Sequence, residues 1–323
     1  MGFIRFDNIK KVEFDEAQYL KTGIKQLDSK ICGFGLGHLV VLTGPRAGGK
    51  TTLIGEIICN FIENGFSGLL CSFEMANARL QRWLTVQALG KDNLIIRKTA
   101  TGTPISYPKS ENVERAAVEW FGRRLLVYDN QSFNADEVAR LIDEQVKENP
   151  LIKFIVLDNL MKIDFTGRAD NKYEAQSAFV KKLQAYAQKN NICVILVAHP
   201  NKVKTIPRIE DIGGSGDIIN TADTVIFVHR ITEDFKKRAD EYFGWRESAD
   251  ELKFDNLIEI VKDREFGDDN SFIGVFFEPT AKRFLNTKGE NVIYSFDVRP
   301  YQARIIPTLK VVEDDDDELQ SPF

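Results

Sequence analysis

Four cysteines, three histidines and no C-x-x-C pair in 323 residues leave little material for a metal cage or a disulfide framework. Cys59, Cys71 and Cys193 sit inside apolar runs, and with Cys32 they read as reduced, buried thiols. No uninterrupted apolar stretch reaches the roughly 18 residues a membrane span requires, and Met1–Asp7 lacks the apolar core of a secretory signal. The expected setting is therefore the cytoplasm, or a host cytoplasm for a phage-encoded chain, with no membrane partner. A basic excess is missing too: the net charge is −5. Six of the negative charges lie in the run Glu313–Glu318, so the rest of the chain is close to neutral. Any contact with a polyanion must come from a local patch rather than from a basic domain. No repeat of about 20 to 50 residues is visible, and 43% hydrophobic with 28% charged residues is an ordinary globular balance.

What is present is a phosphate-binding loop. Gly44-Pro45-Arg46-Ala47-Gly48-Gly49-Lys50-Thr51 fits G-x-x-x-x-G-K-[ST] without a mismatch, and Thr52 extends it. The run His38–Thr43 before it reads as a buried strand. Behind it, Leu53, Ile54, Ile57, Ile58 and Phe61 recur at helical spacing up to the stop signal Asn64-Gly65. Glycines let backbone N–H groups close around phosphate oxygens, and the start of the helix adds partial positive charge. Lys50 is expected to reach the β- and γ-phosphates, and the Thr51 hydroxyl to take one Mg²⁺ position. The cofactors implied are ATP or another NTP or dNTP, with Mg²⁺.

Further apolar runs end in polar residues: Gly68–Phe73 before Glu74, Leu151–Leu157 before Asp158, and Ile192–Ala198 before His199. Apolar strands alternating with amphipathic helices predict an α/β fold, a mostly parallel sheet with helices on both faces. In such a sheet the loops at the carboxyl ends of the strands converge on the ligand. Asp158 is then placed to hold Mg²⁺ directly or through water, and Glu74 to orient and deprotonate the attacking water. A lone acid at a strand end is commonly a solvated cap, and a lone histidine there a structural residue. The glycine loop upstream turns the balance toward catalysis, and the place of His199 suggests a sensor of the γ-phosphate.

Residues 200–219 carry Lys202, Lys204 and Arg208 with the flexible Gly213-Gly214-Ser215-Gly216. A solvated connector is one reading. The functional one is contact with a nucleic-acid backbone through Lys, Arg and glycine N–H groups, without base readout. Elsewhere, Asn134 followed by Glu137 predicts a capped helix with Val138, Leu141, Ile142 and Val146 on its apolar face. Residues 91–112, with Pro104 and Pro108, read as a surface excursion, and Arg124–Asp129 as a core strand. Ser271–Phe277 with Arg283–Leu285 resembles a closing hairpin. In 232–256, Phe235, Tyr242, Phe243 and Trp245 read as helical packing rather than base stacking.

The order of the glycine loop, Ser72–Met75, Val156–Asn159, Val197–Pro200, Gly213–Asp217 and Ala222–Val225 resembles the RecA-like motor of superfamily-4 hexameric DNA helicases. That group includes the DnaB proteins, the phage helicase-primases and mitochondrial Twinkle. The resemblance spans about residues 20–285. It implies Glu74 as catalytic base, Asp158 as Mg²⁺ support and His199 as γ-phosphate sensor. It also implies that Arg264, helped by Lys262 in Val261–Gly267, reaches a neighbouring subunit's nucleotide, which requires a ring of identical chains. The function so implied is NTP-driven translocation on single-stranded DNA, 5′ to 3′, by a homo-hexamer. The rivals are a RecA/RadA-type strand-exchange ATPase and a KaiC-like nucleotide-dependent assembly switch. Expected boundaries are an arm or linker over 1–19, the motor over 20–308 and an acidic tail over 309–323. The tail, ending in Phe323, resembles tails that dock on replication partners such as polymerase, primase or single-strand-binding protein. No cysteine-rich zinc module precedes the motor, so any priming function is expected to reside elsewhere.

Overall fold

The computed structural model describes residues 4–9, 13–129, 132–165, 172–200, 206, 208, 211, 216–246, 248–267 and 271–297. In chain order, β1 (Tyr19–Leu20) leads to α1 (Lys25–Ile31), β2 (Phe34–Gly35), β3 (Leu39–Thr43), α2 (Lys50–Glu63), β4 (Ser67–Ser72) and α3 (Asn77–Leu89). Next come β5 (Leu94–Lys98), β6 (Pro104–Pro108), α4 (Glu111–Gly122), β7 (Leu125–Val127), α5 (Ala135–Glu148), β8 (Ile152–Asp158), α6 (Lys172–Asn190) and β9 (Cys193–Val197). The chain continues through α7 (Gly216–Thr221), β10 (Thr224–Arg230), α8 (Glu233–Phe243), β11 (Asn256–Asp263), β12 (Ser271–Glu278) and β13 (Arg283–Leu285).

Among the described residues a nine-stranded sheet runs in the order β13-β12-β11-β10-β3-β9-β8-β4-β7. From β10 to β7 neighbouring strands are parallel, while β11, β12 and β13 join antiparallel. β3 shows why its sequence is apolar throughout. Side chains alternate between faces of a strand, and this strand is buried on both. Val40 and Leu42 belong to one apolar cluster with Leu53, Ile57 and Phe61 of α2, while Leu39 and Val41 belong to another with Val138 and Ile142 of α5 and Phe179 and Leu183 of α6. The α/β reading with helices on both faces holds.

Local chemistry explains several elements. Asn134 caps α5 by accepting from the Asp136 and Glu137 amides, as its spacing predicts. In α8, Thr232 caps the start, and Phe235, Ala239, Tyr242, Phe243 and Trp245 belong to one apolar cluster with Leu252 and Leu257, so 232–256 is helical packing. Cys59, Cys71 and Cys193 are buried as expected, whereas Cys32 is only half-buried, and all four cysteines are free thiols.

Two expectations need correction. The excursion over 91–112 contains the antiparallel hairpin β5–β6, which docks through the Ser106 hydroxyl on the Thr280 carbonyl at 2.6 Å. Arg124–Asp129 is an edge strand of three residues rather than a core strand, with Val127 exposed. At the start of α1 the Asp28 carboxylate accepts from the Thr22 and Gly23 amides and the Thr22 hydroxyl. The tail 309–323 lies outside the described residues. Among the described residues no helix is long and apolar enough to cross a membrane.

Candidate nucleotide site

The carboxyl ends of β3, β4, β8 and β9 open on one cavity of about 980 Å³. Pro45, Arg46, Ala47, Gly48, Gly49, Lys50, Thr51 and Thr52 line it, together with Glu74, Asp158 and His199. These predicted residues are thus brought together from four separate segments. Gly44 shapes the loop from behind. Its φ is +145°, and a Cβ there would lie 2.3 Å from the Val228 carbonyl oxygen of β10. Gly49 has φ +105°, and a Cβ would meet the Phe284 ring of β13 at 2.7 Å. Both positions exclude a side chain for steric reasons as well as conformational ones.

Lys50, at the first position of α2, reaches back across its loop and donates to the Gly44 and Pro45 carbonyls at 2.6 and 2.9 Å. Burial brings its ammonium down to about 8, opposed by the negative charges of Asp158 and Glu74. Burial pushes the Asp158 carboxyl up to about 6, reinforced by Glu74 and opposed by Lys50. The His199 imidazole is lowered by burial and by Lys50, so it is neutral at pH 7. Its Nε2 lies 3.3 Å from Glu74 Oε1, and its Nδ1 is buried without a hydrogen-bond partner among the described residues.

Asn159 is a participant that sequence reasoning quoted within a motif but gave no role. It is fully buried, and its Nδ2 donates to Glu74 Oε1 at 2.6 Å while its Oδ1 accepts from the Met161 amide at 2.9 Å. Glu74 is therefore held from two sides, by an amide from the end of β8 and an imidazole from the end of β9. The signal was an amide side chain directly after a strand-ending acid. Asn256 was missed with no comparable signal. Its buried Nδ2 donates to the Gly48 carbonyl at 2.8 Å and the His229 carbonyl at 3.1 Å, tying the loop to the β10–β11 pair. Trp83, Met161 and Lys162 also line the cavity.

Lys262 and Arg264 are not in this cavity. Asp263 pairs with Thr224, which pairs with Val40, so this segment lies at the opposite end of β3 from the glycine loop. Four residue steps, from Val40 to Gly44, separate the two levels, about 13 Å. Lys262 Nζ donates to the Ile219, Asn220 and Ala222 carbonyls at the end of α7. Arg264 Nη1 bonds Asp223 Oδ1 at 2.7 Å, and its Nη2 donates to the Asn220 carbonyl. Of the loop residues expected to touch nucleic acid, Lys202, Lys204, Gly213, Gly214 and Ser215 lie outside the described residues. Arg208 lies over the Tyr242 ring at 5.0 Å, and Gly216 opens α7.

Residues 19–286 match the family described as the DnaB-like helicase C terminal domain. The chain belongs to that family. It is 23% identical over 294 residues to the replicative DNA helicase DnaB of Rickettsia bellii, covering 83% of this chain and 57% of the relative. To the DnaB of Mycoplasma pneumoniae it is 25% identical over 234 residues, covering 67% of this chain and 47% of the relative. The domain thus spans about half the length of these curated relatives. Among solved structures it is similar to one described as an ATPase domain, with a TM-score of 0.65 at 18% identity, covering 83% of this chain and 91% of that one. A DnaB-like replicative helicase, whose structure was described with its interactions with primase, gives the same score and identity and is covered to 62%. A KaiC-like protein of Pyrococcus horikoshii scores 0.54 at 20% identity, covering 83% of this chain and 98% of that one. These likenesses establish the RecA-like fold.

Proposed function

We propose that this chain is the motor of an NTP-driven replicative DNA helicase. In this reading residues 20–308 form a RecA-like motor that assembles as a homo-hexamer and translocates 5′ to 3′ on single-stranded DNA. The observation that carries it is the coupling of Glu74 to Asn159 and His199 beside a complete glycine loop, in a chain of the DnaB-like family. Glu74 orients and deprotonates the attacking water. Lys50 neutralises charge on the β- and γ-phosphates. His199 stands against Glu74 and begins the segment 200–219, so a change in what Glu74 bonds is passed to Lys202, Lys204, Arg208 and the glycines 213, 214 and 216.

The residues present suit Mg²⁺. Thr51 offers a hydroxyl and Asp158 a carboxylate on the same cavity, hard oxygen donors that leave the remaining positions to water and phosphate. Burial and the Glu74 carboxylate raise Asp158 toward 6, so a cation beside it would favour its ionised form. Mg²⁺ would supply neutralisation of the phosphate oxygens. Arg264, with Lys262, completes the site across a seam between two copies. Residues 309–323 would dock on replication partners, and 1–19 would serve as an arm or linker. The family match favours a helicase over a strand-exchange ATPase, and over the assembly switch whose KaiC-like fold it shares.

Lys50→Ala and Glu74→Gln are each expected to lower single-stranded-DNA-stimulated NTP hydrolysis by about a hundredfold or more, and to abolish unwinding of a forked duplex with a 5′ tail. Wild-type turnover in either variant would refute the site. Normal turnover by the wild-type chain without any unwinding would refute the helicase reading and favour the switch.

A further inference from the structure

We infer that Trp83 is the nucleoside-contacting residue of the cavity, offering its indole to the base and ribose of the bound nucleotide; this rests on the nucleotide reading of that cavity. Among the described residues, Trp83 is the one Trp, Tyr or Phe in the lining. It stands on α3 one turn before Gln87, and residues four apart share a helix face. That face is located by Gln87, fully buried, whose Nε2 donates to the Thr52 carbonyl at 3.0 Å and the Lys282 carbonyl at 2.8 Å. Trp83 therefore looks toward the Thr52 side of the glycine loop.

The cavity has a charged part and a less charged one. Asn159 and His199 both meet Glu74 Oε1, and this group marks where the γ-phosphate would react. A triphosphate so placed, with its β- and γ-phosphates on Lys50, runs its α-phosphate and nucleoside toward the first turn of α2, where Thr52 and Trp83 stand. An indole face suits a nucleobase far better than a phosphate, and stacking tolerates any base. The Lys282 ammonium lies 4.7 Å from the Trp83 ring centroid. A single ammonium covers at most one of the two ring faces. The Trp83 N–H is buried and has no hydrogen-bond partner in the described structure, so the indole meets the cavity through its ring rather than through its N–H.

The chain has three tryptophans, so replacing Trp120 and Trp245 by Phe leaves Trp83 as the single reporter. With full-length protein carrying both replacements, ADP is expected to change the tryptophan emission and tripolyphosphate to leave it unchanged. In an otherwise wild-type chain, Trp83→Ala should weaken ADP binding about tenfold and tripolyphosphate binding less than about twofold, measured by equilibrium dialysis. Trp83→Phe, which keeps a smaller aromatic ring, should fall between. It provides the comparison should the alanine variant fold poorly by circular dichroism. Equal emission changes with ADP and tripolyphosphate, or unchanged ADP affinity in a folded Trp83→Phe, would overturn the assignment. Failure of the wild-type chain to bind either ligand would instead overturn the nucleotide reading beneath it.

Discussion

Lys50 and Asp158 carry opposite requirements into one cavity, and their shifts bring those requirements close together. Nucleotide capture needs the lysine charged and the aspartate ionised. The lysine, lowered to about 8, loses its proton as pH rises through that value, and the aspartate, raised to about 6, gains one as pH falls through it. Because kcat/KM reports the free enzyme, its pH profile for NTP hydrolysis should be bell-shaped with limbs near 6 and 8. In kcat the basic limb should move upward, since bound phosphate favours the ammonium. A flat kcat/KM profile between about pH 5 and 9 would contradict these environments. Asn159 belongs at the same scale. It is a positioning residue for Glu74, and its effect on turnover would run through the orientation of that carboxylate.

Among elements, a buried ion pair ties α2 to the hairpin β12–β13. Glu56 in the middle of α2 and Arg283 on β13 are both almost fully buried, with Arg283 Nη2 at 2.7 Å from Glu56 Oε1 and the Tyr294 hydroxyl bonded to both. Burial favours the neutral form of an arginine, yet the Glu56 carboxylate more than offsets it and holds the guanidinium charged. Such a pair adds little over an apolar replacement, but removing one member leaves a bare buried charge. Arg283→Ala should therefore cost about 3–5 kcal/mol of stability in chemical denaturation. Glu56→Leu with Arg283→Met should recover much of it. Two single variants with wild-type midpoints would show that water reaches the pair. The tie matters for function because Phe284 on the same strand lies against Gly49, so the hairpin backs the phosphate loop.

At the scale of the whole molecule, Arg264 and the glycine loop stand at opposite ends of β3, so the role proposed for Arg264 at the nucleotide needs a second copy of the chain. In this chain Arg264 bonds Asp223 and the end of α7. Two roles are open to a guanidinium held this way: a structural cap, or a group that leaves Asp223 and Asn220 to serve a seam with a neighbouring copy. Mixing separates them. Lys50→Ala and Arg264→Ala chains, each inactive alone, should regain part of the wild-type hydrolysis when assembled together, since some seams then join an intact loop to an intact arginine. Arg264→Ala chains hydrolysing normally alone would leave only the cap.

The residue types already specified the glycine loop, the apolar strands ending in Glu74, Asp158 and His199, and the alternation that makes a parallel sheet. Each of these depends on local chemistry, such as the φ that only glycine tolerates and the two-sided burial that demands an all-apolar strand. Asn159, Asn256, Gln87 and the Glu56–Arg283 pair were not legible in that way. Their partners lie 85, 208, 35 and 227 residues away, and a polar side chain has no local pattern that announces a distant carbonyl or charge. The hairpin in 91–112 was obscured for a related reason, since its strands are short, half exposed and stabilised by docking on the far end of the chain. Periodicity reports burial within an element, whereas which elements meet is settled by packing across the whole fold.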